Sequence, residues 1–173
     1  MKVISNAGPL MALGKLGLIH LLHQLYGPVR IPSAVYDEVV TRGLELEQPD
    51  AYAVQLAVAR QEFAIVNMDD AELTAVVQAL PVGKGEKYAI QLGLRETADW
   101  VLLDDLLARE KAQRLGLQVK GTLGIIVEAY HRGLMTFQEI GLVFRAILGR
   151  EDIWISEALV RYVWDNLRKE TRG

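Results

Sequence analysis

The sequence predicts an α/β protein with three layers, α/β/α, built around a mostly parallel sheet and followed by additional C-terminal helices. Short apolar segments of strand length alternate with longer segments of helical periodicity, which is typical of a parallel sheet covered on both faces. The segment from Trp100 to Leu103 is almost entirely apolar, as expected of a strand buried on both sides. The chain has 173 residues and no internal repeat, which fits one domain.

The predicted elements follow one another closely along the chain. The turn cluster Asn6-Ala7-Gly8-Pro9 ends the first strand, and Pro9 suits the first turn of the next helix. We expect strands at Val3–Ser5, Val29–Ile31, Phe63–Val66, Trp100–Leu103 and Gln118–Val119. We expect helices over residues 10–24, 33–41, 50–61, 71–79, 86–93, 104–116 and 122–132. Residues 1–135 hold this pattern, and residues 136–173 form a helical extension, with helices 137–148 and 156–168, that packs on the same domain.

Composition excludes several classes of protein. The formal charge is −3, from 19 basic and 22 acidic residues, so binding to nucleic acid would need a local basic rim or a metal ion. Cysteine is absent, which rules out disulfides and thiolate metal sites. No apolar run approaches the roughly 18 residues of a membrane span, and the first residues show no secretion signal, so the cytoplasm is the expected compartment.

Polar side chains are predicted at one edge of the sheet. In open parallel sheets, binding sites form beyond the carboxyl ends of the strands. One candidate follows the first strand, two follow the buried fourth strand, and two lie on helices. They are Asn6, Glu38, Glu86, Asp104 and Asp105. Each also has a simpler reading as a helix cap, a first-turn acid or a solvated helix residue, and periodicity alone does not join them.

Five segments, in this order, resemble the successive blocks of PIN domains. They are Val3–Leu10, Ile31–Val40, Gly85–Ile90, Leu102–Arg109 and Gly121–Ile126. The likeness covers about residues 2–135 and is to a branch catalogued as a domain of unknown function, related to VapC-type toxins. It implies a PIN-like fold and a metal-dependent endoribonuclease activity.

The resemblance also implies a ligand set for Mg²⁺ or Mn²⁺, formed by Asn6, Glu38, Glu86, Asp104 and Asp105, with the four acids as catalytic residues. Hard divalent cations prefer such oxygen ligands and keep waters that can attack a phosphodiester. Which aspartate of the pair faces the metal stays open. Many PIN domains carry Asp where this chain has Asn6, and a neutral amide lowers the expected affinity and cannot act as a base.

The remaining site predictions concern the substrate. Ser5, Lys87, Arg109 and Thr122 are candidate contacts to RNA, although a turn hydroxyl, a solvated face or a helix cap would explain them equally well. Thr122 matches a hydroxyl position of the family and is also a candidate to orient a carboxylate.

Partners follow from the family. The resemblance implies an RNA substrate, a small antitoxin protein and a homodimer, whose interface the aromatic C-terminal helices could cover. A second hypothesis is a catalytically silent PIN-like module that binds RNA or protein, and Asn6 favours it. A phospho-acceptor receiver domain would need paired acids near the first strand, which Asn6 does not provide. His20 and His23 lack a third metal ligand at suitable spacing.

Overall fold

The computed structural model describes residues 1–171 and contains a five-stranded sheet in which every strand is parallel to its neighbours. The strand order is β3-β2-β1-β4-β5. The strands are β1 (Val3–Ser5), β2 (Val29–Pro32), β3 (Phe63–Val66), β4 (Trp100–Leu102) and β5 (Val119–Lys120). The predicted α/β/α class and all five predicted strands are confirmed, with ends that differ by at most one residue.

The helices α1 to α11 fill the connections and the C-terminal segment. Two short turns of other geometry interrupt them, a π-helical turn at Asp37–Thr41 and a 3₁₀ turn at Asp70–Glu72. The α-helices are α1 (Ala7–Lys15), α2 (His20–Tyr26), α3 (Ser33–Tyr36), α4 (Arg42–Glu45), α5 (Pro49–Ala59), α6 (Ala75–Gln78), α7 (Lys84–Glu96), α8 (Leu106–Arg114), α9 (Thr122–His131), α10 (Phe137–Leu148) and α11 (Glu157–Glu170).

The strand order places a topological switch point between β1 and β4. The chain builds β1, β2 and β3 outward on one side of the sheet, and then crosses to add β4 and β5 on the other side. In the register of the two central strands, Ser5 pairs with Leu102. The residues that follow these two strands therefore emerge side by side, at the place where open α/β sheets bind ligands.

Helix α7 holds the centre of the sheet. It packs against β1, β2 and β4, and Ile90 and Leu92 from this helix are fully buried with Ile4 and Val101 from the strands. Burial of such side chains is the main force that fixes the helix on the sheet. The N-terminal turn of α7 is thereby fixed near the carboxyl ends of the strands.

The prediction of one helix over residues 10–24 is wrong, because the chain forms α1 and α2 with a break between them. Gly17 adopts a left-handed conformation with φ +71°. The Gly17 N–H donates to the carbonyl of Gly14 and the Leu18 N–H to that of Leu13, which is the Schellman arrangement that ends helices. A continuous apolar stripe did not reveal this stop.

The prediction of a helix over residues 71–79 is also wrong. A 3₁₀ turn and the short α6 replace it, because Leu73 and Thr74 are extended. The side chain of Asp69 caps the turn by accepting from the Ala71 N–H, while the Oγ1 and N–H of Thr74 donate to the side-chain oxygen of Gln91 on α7. Local caps and this tertiary contact outweigh the helical propensity of the alanines, Glu72 and Leu73.

Helix α7 begins two residues before the predicted start at Glu86. Gly83 is the N-cap of α7, and the helix already begins at Lys84. At its other end α7 continues three residues beyond the predicted Gly93, to Glu96.

The chain divides into two compact units. The first comprises Met1–Thr122 and contains the sheet, and the second begins at Leu123. In the second unit α10 packs against α11, and the rings of Phe137 and Trp164 stack with centroids 4.8 Å apart. Among the described residues, no helix combines the length and apolarity that crossing a membrane requires.

We predict that Gly17→Ala lowers the free energy of unfolding by about 1 kcal/mol, because alanine is strained in the left-handed region. A Cβ at this position meets no atom within 4 Å, so the effect comes from the backbone alone. Gly17→Asn should destabilise less, because asparagine tolerates this conformation better than alanine. Urea unfolding of the three proteins measures the order, and an alanine variant as stable as wild type would contradict it.

Candidate functional site

Asn6 emerges from β1 at the switch point and is almost completely buried, with 4% of its surface exposed. Its N–H donates to the carbonyl of Leu102 at the end of β4, at 3.0 Å. It occupies the N-cap position of α1, yet its side chain makes no capping hydrogen bond. Instead Nδ2 donates to Oε1 of Glu86 at 3.2 Å, and the buried Oδ1 has no hydrogen-bond partner. The Asn6 side chain therefore bonds to Glu86 and does not cap α1.

Gly85 brings Asn6 and Glu38 together. The point where a Cβ of Gly85 would lie is 2.9 Å from Oδ1 of Asn6 and 3.1 Å from Oε2 of Glu38. Such contacts are too close for a real methyl group, so only glycine leaves room for both oxygens. With Glu86 bonded to Asn6, these three residues form a cluster that we call the Gly85 cluster: Asn6, Glu38 and Glu86.

Glu38 reaches the cluster from the π-helical turn between α3 and α4. A π-helical turn is rare and often occurs at functional sites. Glu38 is exposed, but its carboxylate lies close to Oδ1 of Asn6 and to Glu86. Burial, followed by the negative charge of Glu86, raises the pKa of Glu38, and Arg42 opposes the shift. The sequence predicted one regular helix over residues 33–41, and its pattern does not distinguish a π-helical turn from an α-helical one.

Asp104 follows β4 and is fixed by Thr122. Its Oδ1 accepts the N–H of Thr122 at 2.6 Å, and its Oδ2 accepts the Thr122 hydroxyl at 2.7 Å. Burial raises the pKa of Asp104, whereas the Thr122 bonds and the guanidinium of Arg109 lower it. The Cβ positions of Gly8 and Gly121 lie 3.3 and 3.0 Å from its oxygens. Asp104 therefore lies against the first turn of α1, which begins directly after Asn6.

Asp105 has a different role from its neighbour. It is exposed, and its Oδ1 accepts the N–H of Ala108 at 2.8 Å as the N-cap of α8. The sequence left open which aspartate faces the site. In the structure Asp104 is bonded to Thr122 and lies beside the first turn of α1, whereas Asp105 caps α8.

The predicted substrate contacts occupy varied positions. Ser5 is fully buried, and its hydroxyl donates to the carbonyl of Asn6, so it supports the backbone at the site. Lys87 donates to the carbonyl of Gln78 at 2.7 Å. Arg109 stands beside Asp104, with Nη1 3.1 Å from the Cβ position of Gly121. Thr122 is buried and holds Asp104, which is the orienting role considered above.

The side chains that could ligate a metal ion are few and are all oxygen ligands. Within residues 1–171 no group of three or more His, Cys, Asp or Glu side chains is arranged to hold a metal ion. The Gly85 cluster instead offers two carboxylates and one amide oxygen. Mg²⁺ is commonly held by one or two carboxylates and keeps several waters, so the residues present fit an ion of this type. Oδ1 of Asn6 is a buried acceptor without a hydrogen-bond donor, so this oxygen is available to ligate a hard cation.

Comparison with known proteins gives one family. A family model described as a PIN domain matches residues 2–169, which includes both units of the chain. No curated protein shows a significant match.

We predict that Glu38→Gln stabilises the metal-free protein at pH 7. The folded-state pKa of Glu38 lies above its ordinary value of 4.5, so the folded protein binds the proton more tightly and loses stability as the pH rises through that window. Glutamine removes this loss. Melting temperatures in the presence of a chelator should differ at pH 7 and converge below pH 4.5.

Glu45→Gln is the matched control, because Glu45 is exposed on the neighbouring α4. It should leave the melting temperature unchanged. A Glu38→Gln protein that melts lower than wild type at pH 7 would show that the carboxylate stabilises the metal-free fold.

Proposed function

The chain belongs to the PIN-domain family, and we propose that it is a metal-dependent endoribonuclease that hydrolyses RNA phosphodiesters at the carboxyl edge of its sheet. The observation that carries the proposal is the buried, unpartnered Oδ1 of Asn6. This atom and Oε2 of Glu38 flank the same point beside Gly85, and Glu86 is bonded to the same amide.

A hard divalent cation would remove two unfavourable features of this cluster. An unsatisfied buried acceptor costs about 1–3 kcal/mol, and Glu38 and Glu86 repel each other. We assign Asn6, Glu38 and Glu86 as ligands of Mg²⁺ or Mn²⁺, and Asp104 as a further carboxylate at the switch point. Thr122 occupies one acceptor site on each Asp104 oxygen, and a carboxylate has about four such sites. When bound, the ion supplies an activated water and neutralises charge on the phosphate.

The protein's own residues have distinct roles in this proposal. Glu86 holds the Asn6 amide and so directs Oδ1 towards Glu38. Thr122 fixes the rotamer of Asp104, as partners of ligating carboxylates do. In this proposal Glu38, whose Oε2 lies beside the same point as Oδ1 of Asn6, accepts the proton of the water that attacks phosphorus, and the ribose oxygen leaves and takes up a proton from solvent. Arg109 is placed to contact a phosphate near Asp104.

A catalytically silent PIN-like module that binds RNA or protein is the second candidate. Asn6 favours it, because an amide carries no negative charge and leaves only two carboxylates in the Gly85 cluster. The experiments below distinguish binding from cleavage.

The family supports a finer proposal, that the chain is the cytoplasmic toxin of a toxin–antitoxin pair, acts as a homodimer and is inhibited by a small antitoxin protein. An overlapping open reading frame for a small DNA-binding protein would support this pairing. Growth arrest on expression, relieved by that neighbour, would test it directly.

We predict that the wild-type protein cleaves mixed-sequence RNA in the presence of Mn²⁺ and that Glu38→Gln and Glu86→Gln each slow cleavage at least about a hundredfold, because each removes a carboxylate ligand of the proposed metal ion. Glu45→Gln should cleave at the wild-type rate. Gel analysis of labelled RNA measures the rates, with a chelator as the metal-free control. RNA that is retained by the wild type but never cut would establish the silent module instead.

We predict that Asn6→Asp binds Mn²⁺ at least about tenfold more tightly than wild type, because the new carboxylate adds a negative charge to a direct ligand. Asn67→Asp makes the same chemical change at an exposed position of the same unit and should not alter the affinity. Titration of free Mn²⁺ by electron paramagnetic resonance measures both. Equal affinities for wild type and Asn6→Asp would remove Asn6 from the ligand set.

A further inference from the structure

The second unit contains a groove that the proposed nuclease site does not use. It lies between α10 and α11 and encloses about 560 Å³. Its floor is apolar: Phe144 and Val160 are buried, and Phe137, Leu148 and Trp164 complete the lining. A groove of this kind suits the apolar face of a partner segment.

Gly141 sets the depth of the groove. The six-membered ring of Trp164 lies 2.9 Å from the point where a Cβ of Gly141 would be. The ring also stacks on Phe137 with a 16° tilt, and it meets Phe144 edge-on. The Trp164 ring is therefore held by packing against Phe137 and Phe144.

The rim of the groove is mainly basic. Three arginines and one aspartate line it: Arg145, Arg161, Arg168 and Asp165. Arg161 pairs with Glu157 at 2.7 Å. Arg145 and Arg168 are exposed and form no ion pair with any residue from 1 to 171. Arg145 and Arg168 thus present two guanidinium groups, without an ion pair in the described residues, beside an apolar floor. A partner that combines carboxylates with aliphatic side chains would complement this surface.

The lengths of α10 and α11 indicate the secondary structure of that partner. α10 has 12 residues and α11 has 14, so the groove suits a helix of about four turns. The loop between the helices also carries Trp154, with 91% of its surface exposed, and exposed tryptophans are frequent anchors of interfaces.

We infer that the groove between α10 and α11 is a docking surface for an amphipathic, acidic helix of a partner protein. The helix places aliphatic side chains on the floor and carboxylates against Arg145 and Arg168. This surface is independent of the proposed nuclease activity.

The test uses the full chain and a synthetic helical peptide of about four turns, with leucines on one face and glutamates beside them. A second peptide has lysines in place of the glutamates, and a short uridine oligonucleotide is the third probe. The indole N–H resonance of Trp164, assigned with Trp164→Phe, reports binding at the floor. We expect the glutamate peptide to shift this resonance saturably and the other two probes to leave it unchanged.

Charge reversal on the protein gives the second measurement. The double variant Arg145→Glu/Arg168→Glu should bind the glutamate peptide at least about tenfold more weakly, whereas Arg60→Glu, a reversal at an exposed position of the first unit, should bind as wild type does. Equal binding of the lysine peptide, no binding of either peptide, or an unchanged double variant would each overturn the proposal. A shift caused by the oligonucleotide alone would reassign the groove to nucleic acid.

Discussion

The candidate site depends on one packing constraint, the close approach of glycine backbone to side-chain oxygens at the carboxyl edge of the sheet. Four glycines have Cβ positions within 3.3 Å of an oxygen of Asn6, Glu38, Glu86 or Asp104. They are Gly8, Gly83, Gly85 and Gly121. Any larger residue at Gly85 would have to displace two polar groups at once. The absence of side chains on the backbone is thus what lets charged groups from distant parts of the chain meet.

This arrangement opposes stability in the metal-free protein. Burial raises the pKa values of both Glu38 and Asp104, and an acceptor of Asn6 is buried without a donor. Sites that are strained in this way are typical of functional positions, where the rest of the fold must supply the missing stability. Here the core beneath the site supplies it, since α7 is anchored by fully buried side chains on the central strands.

The sequence predicted the sheet and the residue types of the site, but not their local geometry. Apolar strands such as Trp100–Leu102 are visible because burial selects their composition directly. The Schellman stop at Gly17 and the π-helical turn that carries Glu38 were missed, because neither one left-handed residue nor a single π-helical turn of five residues changes an apolar stripe enough to be recognised. Which of Asp104 and Asp105 caps the next helix could not be decided from the sequence, since the other orientation depends on Thr122, which is 18 residues from Asp104.

The presence of asparagine at position 6 has a physical rationale in the metal-free state. Its Nδ2 is the donor that Oε1 of Glu86 accepts, and an aspartate there could not donate this bond. It would instead add a third negative charge, almost fully buried, beside Glu38 and Glu86. Asparagine therefore lowers the repulsion within the cluster, and the same change lowers the attraction that the cluster exerts on a cation. A protein with this residue is expected to tolerate the metal-free state better than a relative with aspartate, and to depend more strongly on the concentration of free divalent ions.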